Sequence, residues 1–149
     1  QESQVAIVYD TMWQSTCVMA QAIAKGILEA DPTVTVKIYN ASMEDKNDIL
    51  TQVFQSKAIL VGSPTINYGY SYAIAGILEM AKGLKFKKKK AAAFGSYGWS
   101  GDAPKQITEA LKGAGFEIVN EGIKKLWVPD AEALADCEAY GRDFAEAIK

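Results

Sequence analysis

The feature that most constrains the fold is a continuous apolar run in the middle of the chain, residues 58–62 with the sequence AILVG. A strand that is apolar at every position is typical of a parallel sheet covered by helices on both faces. Residues 5–9 (VAIVY) form a second such run, and stretches with helical spacing of apolar residues, such as residues 16–29, separate the strands. The alternation predicts an α/β three-layer sandwich with a five-stranded parallel sheet of order 2-1-3-4-5.

The remaining chain continues this alternation without a repeat or a linker, so residues 1–149 are predicted to form one domain. Further helices are expected at residues 47–55, 73–82 and 103–114 and after Asp130, which is expected to cap the last one. Gly83 is expected to follow the third helix as its C′ residue. Four lysines at residues 87–90 precede the fourth strand and are expected to be solvated.

Composition limits the kind of function. The formal net charge of −2 argues against nucleic acid, and no apolar run approaches the roughly 20 residues of a membrane span. No signal peptide precedes Val5, and Cys17 and Cys137 lie far apart, so a reducing cytoplasm is expected. The absence of histidine removes imidazole ligands and histidine catalysis, and neither a catalytic residue nor a metal site is predicted. Redox work would therefore need an organic cofactor.

The loop after the first strand, residues 11–16, carries hydroxyls at Thr11, Ser15 and Thr16 and opens into a helix. It lacks the glycine pattern of dinucleotide-binding loops and the Gly-Lys-Ser/Thr ending of nucleotide-triphosphate loops. Because the first N–H groups of a helix have no partner inside it, we predict a phosphate held by hydroxyls, N–H groups and the helix dipole. The alternative is a simple helix cap with nothing bound.

The loops after the third and fourth strands, residues 64–71 and 95–101, emerge at the same edge of the sheet and combine aromatic residues with glycines. Tyr97 and Trp99 offer faces for stacking. A phosphate beside an aromatic slot predicts flavin mononucleotide (FMN). The alternative is that these aromatic side chains cover the core or form the surface of a cofactor-free interaction module.

Three segments carry a family resemblance: YDTMWQST at residues 9–16, GSPTIN at 62–67 and AFGSYGWSG at 93–101. In this order they resemble the flavodoxin-like domain of the flavodiiron proteins (A-type flavoproteins, including flavorubredoxins), and the likeness extends over nearly the whole chain. The resemblance implies a short-chain flavodoxin-like fold that binds FMN noncovalently and transfers electrons. In complete members a diiron domain, which this histidine-free chain cannot supply, reduces oxygen or nitric oxide.

The resemblance also implies site residues and partners. The phosphate loop is Thr11, Met12, Trp13, Gln14, Ser15 and Thr16. The ribityl chain and ring are flanked by Pro64, Thr65, Ile66, Asn67, Tyr68 and Gly69. The isoalloxazine is lined by Gly95, Ser96, Tyr97, Gly98, Trp99, Ser100 and Gly101. Expected partners are a diiron domain in the same or a partner polypeptide, a rubredoxin-like or other electron donor, and a second copy in a full-length homodimer. The chain would be the flavin half of an oxidoreductase; a free-standing electron carrier is the alternative.

Overall fold

A parallel β-sheet forms the centre of the protein in a computed structural model, which describes residues 2–10, 15–65, 70–84, 89–97, 103–126 and 130–149. Within these residues the strands are β1 (Glu2–Tyr9), β2 (Thr35–Asn40), β3 (Ser56–Pro64), β4 (Lys90–Tyr97), β5 (Glu117–Ile118) and β6 (Ile123–Leu126). Their order is β2-β1-β3-β4-β5, with β6 also paired to β4, and every pair is parallel. The predicted order 2-1-3-4-5 is confirmed.

Helices cover both faces of the sheet. They are α1 (Ser15–Ala30), α2 (Lys46–Gln55), α3 (Tyr72–Leu84), α4 (Ala103–Gly113) and α5 (Ala131–Ala147). One apolar core joins the sheet to α2, α3 and α4, and a second joins its other face to α1 and α5. The predicted cap is confirmed, since the Asp130 carboxylate accepts the Ala133 N–H at 2.8 Å. No helix among the described residues is both long and apolar enough to cross a membrane.

The fifth position of the sheet is divided between two short strands. β5 pairs with the start of β4, and β6 pairs with its end, from Phe94 to Tyr97. A turn at Asn120 separates them: its side-chain oxygen accepts the Gly122 N–H and the Tyr140 hydroxyl, each at 2.8 Å. The apolar pattern predicts a last strand region made of residues 116–119 and 122–128, and the two short strands lie within these segments. The local hydrogen bonding at Asn120 explains the break between them.

Two expectations about the segment between α3 and β4 were wrong. Gly83 does not follow the helix, because α3 continues through Leu84. Lys89 is not solvated but 4% exposed, and its ammonium donates to the carbonyls of Phe54 at 2.8 Å and Ser56 at 2.6 Å. The lysine thus donates to two carbonyls at the point where α2 ends and β3 begins. Burial lowers its pKa.

Helices α1 and α5 approach each other backbone to backbone. A Cβ atom at Gly26 would overlap the carbonyl oxygen of Glu138, and one at Gly141 would overlap that of Ile23. Both close approaches are therefore available only to glycine. The Glu29–Arg142 ion pair, at 2.9 Å, flanks the crossing. This contact fixes the position of α1, whose first residues belong to the candidate site.

Candidate functional site

Three strands end at the same edge of the sheet. In the parallel register Tyr9 lies opposite Gly62, and Pro64 lies opposite Ser96. The three chain segments that leave β1, β3 and β4 therefore start side by side, as the sequence predicted. Ligands of open parallel sheets bind outside the carboxyl ends of the strands, so this edge is the candidate site.

A cluster of three buried hydroxyl groups joins the first turn of α1 to the end of β4. Ser15, Thr16 and Ser96 are 2%, 0% and 1% exposed. The Ser15 hydroxyl donates to Ser96 Oγ at 2.9 Å, and Thr16 Oγ1 lies 2.9 Å from the same atom. The side chain of Ser96, which had been expected at the ring, therefore contacts the residues expected at the phosphate.

The segment that leaves β3 is fastened at both of its described ends. The Thr65 N–H donates to the Ser96 carbonyl at 2.9 Å, and Thr65 Oγ1 accepts the Ala103 N–H at 3.2 Å. Farther along, the Ser71 N–H donates to Ser63 Oγ at 2.9 Å. These contacts hold the start of α4 and the approach to α3 against the ends of β3 and β4.

The charges around the start of α1 suit an anion. No acidic residue lies in its first turn, so the partial positive charge of the helix N-terminus is not offset within the helix. The Asp10 carboxylate accepts the Ser42 hydroxyl at 2.7 Å. The neighbouring residue, Tyr9, is buried, and its hydroxyl donates to Cys17 Sγ at 3.3 Å. Both effects raise the pKa of Tyr9, to about 12. Tyr9 is therefore uncharged at neutral pH.

The predicted site residues fall into two groups. The structure brings together Ser15, Thr16, Thr65 and Ser96, with Pro64 and Tyr97 at the ends of β3 and β4. Gly95 is also in place, but a Cβ atom there would overlap the Ser63 carbonyl oxygen, so close strand packing accounts for this glycine. Outside the described residues lie Thr11, Met12, Trp13, Gln14, Ile66, Asn67, Tyr68, Gly69, Gly98, Trp99, Ser100 and Gly101.

Two serines of this edge were not predicted. Ser63 and Ser71 are 0% and 4% exposed, and Ser71 Oγ also accepts the Ile74 N–H at 3.3 Å, which caps the start of α3. A serine three residues before the first buried apolar position of a helix is a recognisable cap signal. Ser63 gives a weaker signal: it is a polar residue between a buried apolar strand and a proline.

Comparison with known proteins decides the family. The sequence pattern of the family described as Flavodoxin matches residues 7–141. The chain belongs to the flavodoxin family.

Relatives of this flavodoxin domain include a longer protein named anaerobic nitric oxide reductase flavorubredoxin, from Aeromonas hydrophila, which is 52% identical over 97% of this chain and 29% of its own length. Among solved structures, rubredoxin oxygen:oxidoreductase from Desulfovibrio gigas superposes with a TM-score of 0.91 at 34% identity, covering 98% of this chain and 36% of that one. A flavodoxin from the Archaea gives 0.85 at 28% identity, with 97% and 98% covered. The resemblance to the flavodoxin-like domain of flavodiiron proteins is confirmed, and this chain spans less than a third of the Aeromonas relative.

FMN is the cofactor of this family, and the described residues fit its phosphate. The start of α1 offers hydroxyl groups and backbone N–H groups at a positive helix end, which is the donor set that a phosphate needs. In addition, the three hydroxyls of Ser15, Thr16 and Ser96 carry three protons but form two hydrogen bonds with one another. Ser15 uses its proton on Ser96, so one proton, of Thr16 or Ser96, has no acceptor among the described residues, at the edge of the sheet where a phosphate is expected to bind.

Proposed function

We propose that this flavodoxin domain binds FMN noncovalently at the carboxyl edge of the sheet and carries electrons between redox partners. The observation that supports this most is the buried hydroxyl cluster of Ser15, Thr16 and Ser96, which lies where β1 and β4 end and α1 begins. FMN supplies the electron chemistry, and the protein binds and orients the flavin and adjusts its reduction potentials. The predicted residues outside the described ranges remain part of this proposal.

Different described residues are assigned to different parts of the cofactor. Thr16 and the first N–H groups of α1 hold the phosphate without a metal or a cationic side chain, since no lysine or arginine lies between Val5 and Ala24. Thr65, fixed by its hydrogen bonds to Ser96 and Ala103, orients the segment expected along the ribityl chain. Neutral hydroxyls leave the negative charge of the phosphate unpaired, so the helix dipole carries more of the binding.

Titration of the apoprotein with FMN and with riboflavin, which lacks the phosphate, tests this assignment. Thr16→Val keeps the shape of the side chain but removes the hydroxyl. A hydrogen bond to a charged group is worth about 1.5–3 kcal/mol, so FMN affinity should fall by about 10- to 100-fold, while riboflavin affinity changes far less. Flavin fluorescence quenching measures both constants.

Thr51→Val is the matched control, because Thr51 is an exposed helical threonine on α2 whose hydroxyl donates to the Asn47 carbonyl at 2.9 Å. It should leave both affinities unchanged. Equal losses for FMN and riboflavin in Thr16→Val would refute the phosphate assignment, and a protein that takes up neither ligand would instead be a cofactor-free interaction module.

We further propose that the flavin passes its electrons to a diiron centre that reduces oxygen or nitric oxide, in the same polypeptide or in the partner subunit of a homodimer. A rubredoxin-like protein would be the donor. This is supported by the names of the relatives and by the matched shares of 29% and 36% of their lengths. A free-standing carrier is the second candidate, favoured by the archaeal flavodoxin that matches this chain along 98% of its own length.

An anaerobic mixing experiment separates the two candidates. The reduced, FMN-loaded protein is mixed with Aeromonas hydrophila flavorubredoxin from which the flavodoxin region has been deleted, nitric oxide is added, and flavin absorbance is followed. Reoxidation that requires the metal-loaded acceptor supports the diiron pairing. The same rate with a metal-free acceptor would favour the free-standing carrier.

A cytoplasmic location also belongs to this proposal. Both cysteines are free thiols, and burial raises the pKa of Cys137 to about 11, so this thiol is unreactive at neutral pH. Free cysteines are typical of a reducing compartment. Cell fractionation with an antibody against the domain measures the location, and recovery in a periplasmic or extracellular fraction would contradict it.

A further inference from the structure

Ser96 contacts all three of the chain segments that meet at the candidate site. It lies in β4, its hydroxyl contacts Ser15 and Thr16 at the start of α1, and its carbonyl accepts the Thr65 N–H at the end of β3. At 1% exposure it is enclosed by these partners. A residue so placed sets the relative position of groups that belong to different loops.

The directions of the hydrogen bonds in this cluster are partly determined. A serine or threonine hydroxyl has one proton to donate and two lone pairs that accept. Ser15 donates to Ser96, so its proton is used there. In the contact between Ser96 and Thr16 either oxygen can be the donor. If Thr16 donates, its proton is consumed; if Ser96 donates, the proton of Thr16 is available to another acceptor.

We propose that Ser96 is a positioning residue for the FMN phosphate: it donates its proton to Thr16 Oγ1 and so directs the proton of Thr16 to the phosphate. This inference rests on the proposed FMN-binding function. Hydroxyls that donate in sequence polarise one another, and a hydrogen bond that ends on an anion is stronger than one between neutral groups. The order Ser15 to Ser96 to Thr16 to phosphate is therefore the favoured one.

The opposite order leaves a buried proton without a partner. If both Ser15 and Thr16 donated to Ser96, the proton of Ser96 would need an acceptor, and no third hydrogen bond of its hydroxyl is found among the described residues. A buried donor without an acceptor is destabilising. If Ser96 instead donates to Thr16, the proton that remains is that of Thr16. Thr16 lies in the first turn of α1, next to the expected position of the FMN phosphate.

The test combines two ligands with a double-mutant cycle. Dissociation constants for FMN and riboflavin are measured by fluorescence quenching on the apoproteins of the wild type, Ser96→Ala, Thr16→Val and the double variant. Ser96→Ala should weaken FMN binding about tenfold and leave riboflavin binding within about twofold. In the Thr16→Val background the same substitution should have no further effect on the ratio of the two affinities, because Ser96 acts through Thr16.

Ser56→Ala is the matched control. Ser56 is also a fully buried serine with two hydrogen bonds of its hydroxyl, to Gln4 at 2.8 Å and Gln52 at 2.7 Å, but it lies at the opposite end of the sheet. It should leave the ratio of affinities unchanged. Ser96→Cys guards against misfolding of the alanine variant, since it fills the space with a weak donor and should lower the FMN-to-riboflavin ratio in the same direction.

Each outcome decides the proposal. Selective loss of FMN affinity that disappears in the Thr16→Val background supports it. Three results would overturn it without contradicting FMN binding itself. The first is an equal loss of affinity for both ligands, and the second is additive losses in the double variant. The third is a ratio of FMN to riboflavin affinity in Ser96→Ala and Ser96→Cys that equals the ratio in Ser56→Ala. A wild-type protein without FMN affinity would overturn the proposed function itself.

Discussion

The crossing of α1 and α5 predicts a large effect from a single methyl group. Gly26→Ala places a Cβ atom into the carbonyl group of Glu138 and 3.0 Å from the Arg142 amide nitrogen. These are backbone atoms of a helix, which cannot rotate away as a side chain can. The two helices must therefore separate, and contacts along both of them are lost.

The magnitude follows from two opposing terms. Overpacking of a core costs about 1–3 kcal/mol, and a rigid backbone neighbour places this site near the upper end. Alanine is better than glycine inside a helix by about 1 kcal/mol, which offsets part of the cost. The net expectation is that Gly26→Ala lowers the free energy of unfolding by about 2 kcal/mol. For a chain of this size that corresponds to a melting temperature lower by about 4–8 °C.

Gly83→Ala is the matched control, because Gly83 also lies within a helix but a Cβ atom there meets nothing within 4 Å. It should raise stability by about 1 kcal/mol. Urea denaturation of the apoproteins, followed by circular dichroism, measures both changes without a contribution from cofactor binding. If the two variants changed stability in the same direction and by similar amounts, the close approach of α1 and α5 would be refuted.

Two further predictions concern stability. Lys89→Met removes the buried ammonium that donates to the carbonyls of Phe54 and Ser56, and should lower the free energy of unfolding by about 1–3 kcal/mol at neutral pH. Because burial lowers the pKa of Lys89 in the folded state, the wild type gains stability as pH rises from that pKa toward the unfolded value of about 10.4. The difference in free energy of unfolding between the wild type and Lys89→Met should therefore increase in urea denaturation curves taken from pH 7 to 10. A difference that stays constant over this range would contradict the lowered pKa of Lys89. Asp130→Ala removes the acceptor of the Ala133 N–H and should lower stability by about 1 kcal/mol in the same assay, whereas an unchanged midpoint would mean that the cap is not used.

Local patterns in the sequence were enough to predict the layers of the fold and the edge of the sheet where the candidate site lies. The runs at residues 5–9 and 58–62 are buried at every position because both of their faces are covered, and this is what an uninterrupted apolar run indicates. Ser15 and Thr16 could be assigned to the candidate site because their position after a strand and at a helix start follows from the sequence itself.

Features that depend on distant partners could not be predicted in this way. The run of four lysines predicts that Lys89 is solvated. Its burial is explained by its contact with the end of α2, which is distant in the sequence. The family resemblance assigns Ser96 to the flavin ring, but the direction of its side chain is set by the pairing of β4 with β3 and by the neighbouring α1. Sequence spacing carries no information on such encounters between separate elements.

The pairing of the first helix with the last has a consequence for the order of events during synthesis. The Glu29–Arg142 contact joins residues that are 113 positions apart, so α1 is synthesised well before its partner helix leaves the ribosome. Until then the part of α1 that packs on α5 has no partner, although Ser15 and Thr16 at its first turn have already been synthesised. Cofactor capture is therefore expected late: a nascent chain halted before α5 should remain colourless in the presence of flavin.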